Sequence, residues 1–396
     1  MSQTLLEPKM ERSTPLPKLP EMIHLGLGWI GDRGGGLERY QHGVCTAHAN
    51  AGEAVTAWVQ SRTPITSDAN YNVVAFASQD QPRRQKLANL CKLASERHSG
   101  DPFLMISHHA SVGASLAGRK CPKTGVVHFH GPWADEASVE GAPWWKTIVQ
   151  RRTERRSYQS ASRVITLSTF FKNIAVEKYD VDADRVCVVP GGIDANKADP
   201  KMSRLHARAL LNWPTDRPIA LTVRRLVRRV GVDVLLEALP AVVSKHPDLL
   251  LMIGGSGPMK QQLQQRVADL GLHDNVQLLG FIPEEELSLA YCAADVSIVP
   301  TQELEGFGLV VIESMAAGTP ALVTPVGSLP EVVDGLSKDL TVEDKSSTAI
   351  ADGIIQALAG DRRLPSDQQC KDYVRENFDW TVISPKLLDV YREAVR

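Results

Sequence analysis

The feature that most constrains this chain is a series of short apolar segments, separated by stretches of helical length, that runs to about residue 190 and then starts again. Met22 to Leu27, Val55 to Val59, Val73 to Phe76, Phe103 to Ser107, Val126 to His130, Val164 to Leu167 and Val186 to Val189 read as buried strands. The second series is Pro218 to Val223, Leu249 to Ile253, Val276 to Leu279, Val296 to Val299 and Ala321 to Thr324. Helices are expected between these at Val232 to Ser244, Lys260 to Leu270, Glu284 to Ala293 and Leu309 to Ala317. Strands that alternate with helices form parallel sheets, because each return crossover needs a connection of helix length, and the helices then cover both faces. Two series predict two such sheets. At 396 residues the chain is also too long for one ordinary core. The expected class is therefore α/β, with two Rossmann-like, doubly wound domains facing a central cleft. Their ranges are 21–192 and 193–378, after a flexible tail over 1–20 and before a terminal helix over 379–396.

Ligands of open parallel sheets lie beyond the carboxyl ends of the strands. The most pointed segment in such a position is Glu305, Gly306, Phe307, Gly308, Leu309, Val310, Val311, Ile312, Glu313. A helix entered at about Gly308 puts Glu313 more than a turn inside it and leaves Glu305 in the loop before it. The free N–H groups of the first turn and the helix dipole then favour an anion between the two carboxylates. Eight residues at a rise of ~1.5 Å span roughly 12 Å at most, about the length of a nucleotide sugar from hexose hydroxyls to ribose diol. One carboxylate can accept hydrogen bonds from a sugar and the other from a ribose, with a diphosphate over the helix end.

Composition narrows the class further. A content of 43% hydrophobic and 23% charged residues is that of a globular protein, and a net charge of −2 argues against nucleic acid as the principal partner. The six cysteines are scattered, with no CxxC pair and no metal-ligand spacing, so reduced thiols in a cytoplasmic protein are expected, with no metal. The first twenty residues carry charges and prolines where a signal peptide needs an apolar region, and no run approaches the ~18 apolar residues of a membrane span.

The Glu305 to Glu313 segment resembles the Glu-x7-Glu signature of retaining glycosyltransferases of the GT-B architecture, in particular family 4. Gly34 to Arg39 (GGGLER), His128 to Gly131 (HFHG), Pro190 to Asp194 (PGGID), Arg225 to Gly231, Gly254 to Pro258 (GGSGP) and Gly318 to Pro320 (GTP) occur in that family's order. The resemblance implies a nucleotide sugar as donor, UDP-glucose first among the candidates, a saccharide or lipid-linked acceptor, and neither cofactor nor metal. It implies that Glu305, with the backbone N–H groups of Phe307 and Gly308, contacts the donor sugar, that Glu313 holds the ribose, and that Arg225 neutralises the diphosphate. His130 would contact the transferred sugar. Leu309, Val310, Gly35, Gly36 and Gly255 would line the donor, Phe281 would lie at the nucleobase, and His108, His109 and Trp133 would border the acceptor. The terminal helix would cross back to the first domain.

The chain also departs from the family. Where the pattern runs Arg, Leu, three residues, Lys, Gly, it reads Arg225, Leu226, Val227, Arg228, Arg229, Val230, Gly231, so the lysine position is Val230. The glycine that usually precedes Arg225 is Arg224. Arg229 or Arg228 is then expected to supply the missing charge. If neither does, the chain is a degenerate protein that binds the donor without turnover, and an epimerase or hydrolase of the same fold is a third reading. Separately, Arg151, Arg152, Arg155 and Arg156 follow Trp144 and Trp145 at i, i+4 spacing. They predict one charged helical surface, either solvated or in peripheral contact with an anionic membrane.

Overall fold

The computed structural model describes residues 18–32, 35–65, 69–98, 100–117 and 125–396. Most of the expected tail, and Gly34, lie outside the described residues. The first half comprises β1 (Glu21–Leu25), α1 (Gly36–Asn50), β2 (Val55–Gln60), β3 (Asn72–Ala77), α2 (Arg83–His98), β4 (Phe103–Ser107), α3 (Ala110–Leu116) and β5 (Val126–Phe129). It continues with α4 (Trp133–Val139), α5 (Trp144–Ser160), β6 (Arg163–Thr166), α6 (Thr169–Tyr179) and β7 (Val186–Val188). The second half holds α7 (Ala195–Ala198), α8 (Arg204–Leu211), β8 (Ile219–Val223), α9 (Val232–Lys245), β9 (Leu250–Gly254), α10 (Lys260–Asp269) and β10 (Val276–Gly280). There follow α11 (Glu284–Ala293), β11 (Val296–Val299), α12 (Leu309–Ala316), β12 (Ala321–Val323), α13 (Leu329–Val333), α14 (Ser347–Ala359), α15 (Asp367–Asn377) and α16 (Trp380–Val395).

The strands form two parallel sheets, ordered β3-β2-β1-β4-β5-β6-β7 and β10-β9-β8-β11-β12. In each, the order reverses beside the first strand of the series, between β1 and β4 and between β8 and β11. That reversal opens a crevice at the carboxyl ends, because the helices on either side leave in opposite directions. Strands such as β5 and β9 are buried along their whole length, which is why they read as unbroken apolar runs rather than as alternating ones.

α16 begins at Trp380. Asp379 caps it by accepting from the Thr381 N–H at 2.9 Å, and the helix runs through Pro385, a residue that normally marks a helix end. It lies on the first half: Tyr391 Oη is 3.0 Å from His128 Nε2 and Arg392 is 3.7 Å from Glu53. Ile383, Leu387 and Tyr391 join one core with Tyr40 and Val44 of α1 and with Phe307 and Val311 of the second half.

The four arginines of α5 do not share one free surface. Arg151 pairs with Asp135 at 2.6 Å, Arg155 pairs with Asp180 at 2.7 Å, and Arg156 donates to the Ala117 carbonyl. Neighbouring acids on α4 and after α6 thus neutralise two of the charges, while the helix's other exposed end is apolar, with Trp144 at 74% exposure.

Candidate active site

The candidate residues converge because nearly all of them follow a strand. Arg224 and Arg225 leave β8, Gly255 leaves β9, Phe281 leaves β10 and Thr301 leaves β11, while His108 and His130 leave β4 and β5. Glu305 sits in the loop between β11 and α12, and Gly308, at φ 82°, forms the left-handed entry to α12. The side chain of Phe307 is buried against Phe378, so only its backbone faces the cleft.

Glu305 Oε2 accepts from Arg224 Nη2 at 2.5 Å and from Thr301 Oγ1 at 3.1 Å. Burial works to raise its pKa, but Arg224, Arg229 and the Thr301 hydroxyl outweigh burial and hold it below the ordinary carboxylate value. Glu313 goes the other way. Burial holds its pKa up and Glu284 adds to that, against Arg39, whose Nη2 lies 3.3 Å from the carboxylate, and Tyr291 Oη at 3.4 Å. Arg224, only 7% exposed, acts electrostatically on both carboxylates, which places its guanidinium where an anion between them would arrive.

The first half closes the other side. Gly35 caps α1, and the position of a Cβ on Gly36 is 4.0 Å from Leu309, so the N-termini of α1 and α12 meet across the cleft. Two helix ends directed at one space reinforce its preference for an anion. Arg39 of α1 reaches over to Glu284 at 3.2 Å as well as to Glu313. Glu136 of α4 lies 3.7 Å from Arg229. Burial raises the Glu136 pKa, Arg229 and Arg225 oppose the rise, and Glu305 adds to it, so these four groups share one pocket of charge.

Among the sites read from sequence, Arg225 is exposed in the cleft with no ion pair among the described residues, and Arg229 donates to the Leu304 carbonyl at 3.2 Å beside Glu305. Val230 is buried in the core of the second half, 2% exposed, and Arg228 is exposed. Gly255, at φ 126°, serves close packing: a Cβ there would lie 1.8 Å from the Arg224 carbonyl oxygen, so the glycine loop holds the arginine loop. Phe281 stands 67% exposed at the outer end of β10. Leu309 and Val310 supply first-turn N–H groups of α12, as expected from their position.

The histidines form a column. His24, His108, His128 and His130 stack with ring centroids 5.2, 4.5 and 5.8 Å apart and interplanar angles of 21, 24 and 11°. Burial drives all their pKa values down, His130 to about 3, so the His130 ring is neutral near pH 7 and is not poised as an acid. Its Nε2 is buried with no partner among the described residues. Ring nitrogens of His108, His128 and His130 come within 4.8 Å of one another, close enough to share a cation. His108 is fully buried in this column and bonded to His24 at 2.9 Å, so it does not border open space, contrary to expectation. His109 caps α3 and packs edge-on to Trp133, whose backbone N–H donates to the Glu154 carboxylate at 2.7 Å.

Sequence reasoning missed Arg39, Glu136 and the role of Arg224. Arg39 closes the GGGLER segment and Arg224 stands where the family has glycine, so each carried a signal; Glu136 carried none beyond its place six residues after His130.

Comparison with known proteins accords with this geometry. Residues 34–197 match the family model Glycosyltransferase Family 4, and residues 203–377 match Glycosyl transferases group 1. An uncharacterised glycosyltransferase of Methanocaldococcus jannaschii is 32% identical over 244 residues, 60% of this chain and 62% of that protein. The D-inositol 3-phosphate glycosyltransferase of Corynebacterium kroppenstedtii is 31% identical over 260 residues, 62% of this chain and 56% of that one. The chain thus spans less than two thirds of each of these relatives. In fold it is similar to sucrose-phosphate synthase from Thermosynechococcus elongatus, with a TM-score of 0.76 at 24% identity over 95% of this chain and 99% of that one. HepE of Anabaena, solved with UDP and glucose, gives 0.76 at 19% identity over 94% of this chain and 100% of that one. With a family 4 module over its first half and a group 1 module over its second, on two facing parallel sheets, the chain belongs to the group 1 glycosyltransferases of family 4.

Proposed function

We propose that the protein transfers a hexose from a nucleoside diphosphate donor to an acceptor hydroxyl, with retention at the anomeric carbon. The observation that carries this reading is the pair Glu305 and Glu313 in one cleft, with Arg224, Arg225, Arg229 and Arg39 around them and the N-terminus of α12 between them. The ribose diol donates to Glu313 and the hexose hydroxyls to Glu305. As the acceptor oxygen bonds to C1 and the C1–O bond to phosphate breaks, the arginines and helix ends balance charge growing on the diphosphate. The departing diphosphate takes the acceptor proton. Glu136 holds Arg229 in the cleft, which supports front-face displacement over a double displacement through a carboxylate of the first half.

UDP-glucose is the first donor to test, in line with the UDP and glucose bound by HepE. GDP-mannose is the second, since a mycobacterial relative is named as a GDP-mannose-dependent mannosyltransferase. No metal or cofactor is assigned a step. Among the described residues no helix is long and apolar enough to cross a membrane. We place the protein in the cytoplasm, in peripheral membrane contact through α5, a contact supported by exposed Trp144 and Trp145 more than by the paired Arg151 and Arg155.

The rival reading, a donor-binding protein without turnover, is favoured by Val230, a buried apolar group where a lysine charge is expected. Calorimetric titration with UDP and GDP, followed by assay of the matching sugar nucleotide for diphosphate release with saccharide acceptors, separates the two. Saturable binding that weakens tenfold or more in Glu313→Ala, with diphosphate release, supports transfer. Binding without release supports the rival, and no binding of either nucleotide overturns both.

A further inference from the structure

A second cavity, of about 510 Å³, opens at the same carboxyl edge of the first sheet but away from Glu305 and Glu313. Such a volume suits a small molecule. Its floor is apolar, with Leu27, Phe76, Leu90 and Val112, and its rim carries four cations and no acid. Arg83 and Lys86 stand in the first turn of α2, and Arg152 and Arg156 stand one turn apart on α5, so two helices present charge to one space. Lys86 donates to the Gln79 carbonyl at 2.6 Å and Arg156 to that of Ala117, but Arg83 and Arg152 have no hydrogen-bond or ion-pair partner among the described residues. In a chain of net charge −2, where Arg151 and Arg155 of the same helix are paired with acids, Arg83 and Arg152 line one apolar cavity with no acid among its lining residues.

The cavity is connected to the reacting end of the site. Ser111 lines it and bonds His109 at 2.8 Å, and His109 lies next to Trp133 and close enough to His130 to shift its titration. Beyond it, Val149 continues into the exposed apolar end of α5 with Trp145 and Ile148.

We propose that this cavity binds the phosphate group of a phosphorylated acceptor whose apolar or alicyclic part rests on Leu27, Phe76 and Leu90. The proposal rests on the transferase reading and names the class of its acceptor. Phosphate fits better than carboxylate because its oxygens are arranged tetrahedrally and can take donors from α2 and α5 together, whereas a planar carboxylate is satisfied by one guanidinium fork. The Ser115 and Thr153 hydroxyls on the wall already donate to the Ser111 and Val149 carbonyls at 2.7 and 2.8 Å, so the guanidiniums are the donors left for an anion.

The test needs no donor and no turnover, so it fails or succeeds separately from the transferase reading. Octyl phosphate and octyl glucoside, with the same chain and opposite head chemistry, are titrated calorimetrically into wild type, Arg83→Gln/Arg152→Gln and Glu313→Ala. Both arginines are exposed, so the double variant keeps the wild-type melting temperature. Octyl phosphate is expected to bind wild type and Glu313→Ala equally and the double variant at least tenfold more weakly, with octyl glucoside indifferent to the substitutions. Displacement by inorganic phosphate alone assigns the site to soluble phosphate esters. A requirement for the chain, with sedimentation on vesicles containing phosphatidylinositol phosphate that the double variant loses, assigns it to a lipid headgroup. Equal affinity of octyl phosphate for wild type and the double variant, or equal affinity of the two amphiphiles, overturns the proposal.

Discussion

Arg224 occupies a position that its family gives to glycine, and a buried guanidinium is costly to desolvate unless its charge is matched. In the ligand-free protein Glu305 matches it at 2.5 Å. On the proposed function, an incoming diphosphate would offer more negative charge at nearly the same place and would leave Glu305 to the sugar hydroxyls. On that same reading, Arg224 would take over the charge that Val230 does not provide, alongside Arg229. Replacing Arg224 by alanine should weaken UDP or GDP binding about ten- to a hundredfold, the ~1.5–3 kcal/mol of a hydrogen bond to a charged group. Calorimetry on the folded variant reads this directly. If alanine instead tightens nucleotide binding, Arg224 is a plug in the site and not a ligand of the diphosphate.

At the scale of elements, α4 has no cap of its own, since Pro132 precedes it, and it borrows one from α5. Glu154 accepts from the N–H groups of Trp133 and Ala134 at 2.7 and 3.1 Å and from Tyr179 Oη at 2.9 Å, and burial pushes its pKa up to about 7. Glu154→Ala should cost about 2–4 kcal/mol, as a buried group with three lost hydrogen bonds, and should move Glu136 out of register with Arg229. Urea unfolding checks the first effect. Tyr179→Phe, expected to cost about 1 kcal/mol in wild type and nothing once Glu154 is gone, checks that the cost comes from these hydrogen bonds, and the second effect is checked by Glu136→Gln, whose effect on stability should vanish in the Glu154→Ala background. In the sequence Glu154 shows only as the one acid in a basic run, because a cap donated from another helix has no local spacing. The central strands were legible for the opposite reason: burial on both faces makes each of them, such as β5 and β9, a continuous apolar run. The Glu305 to Glu313 segment was legible because both carboxylates belong to one loop and helix. Arg39 with Glu313 and Arg229 with Glu136 were not, since each pair joins the two halves of the chain.

Over the whole molecule, the two halves are tied by charge and by core. Glu331 of α13 caps α6 of the first half, accepting from the Thr169 and Phe170 N–H groups at 2.9 Å each, and α16 completes the first half's core. Beneath that helix lie His24, His48, His108 and His128, all fully buried or nearly so. Burial also holds down His42, His109 and His130, which makes seven histidines with lowered pKa values, His48 and His130 to about 3 and His109 to about 4. A histidine whose folded pKa is depressed binds its proton in the unfolded chain first. Its stabilising effect is therefore complete above the unfolded pKa of ~6.5 and declines as pH falls below it, by about 1.4 kcal/mol one unit down. Glu136, Glu154 and Glu313 oppose this, because carboxyls with raised pKa values favour the folded state as they protonate. Seven groups against three leave a steep net loss between pH 6.5 and 4.5, set against a typical stability of ~5–15 kcal/mol. Circular dichroism at 222 nm should show acid unfolding with a midpoint above pH 4.5, and His48→Leu, which removes one buried titrating ring, should move that midpoint to lower pH. A chain that keeps its native signal to pH 4 would show that the column of histidines admits protons, or water, without losing the packing of α16 on the first sheet.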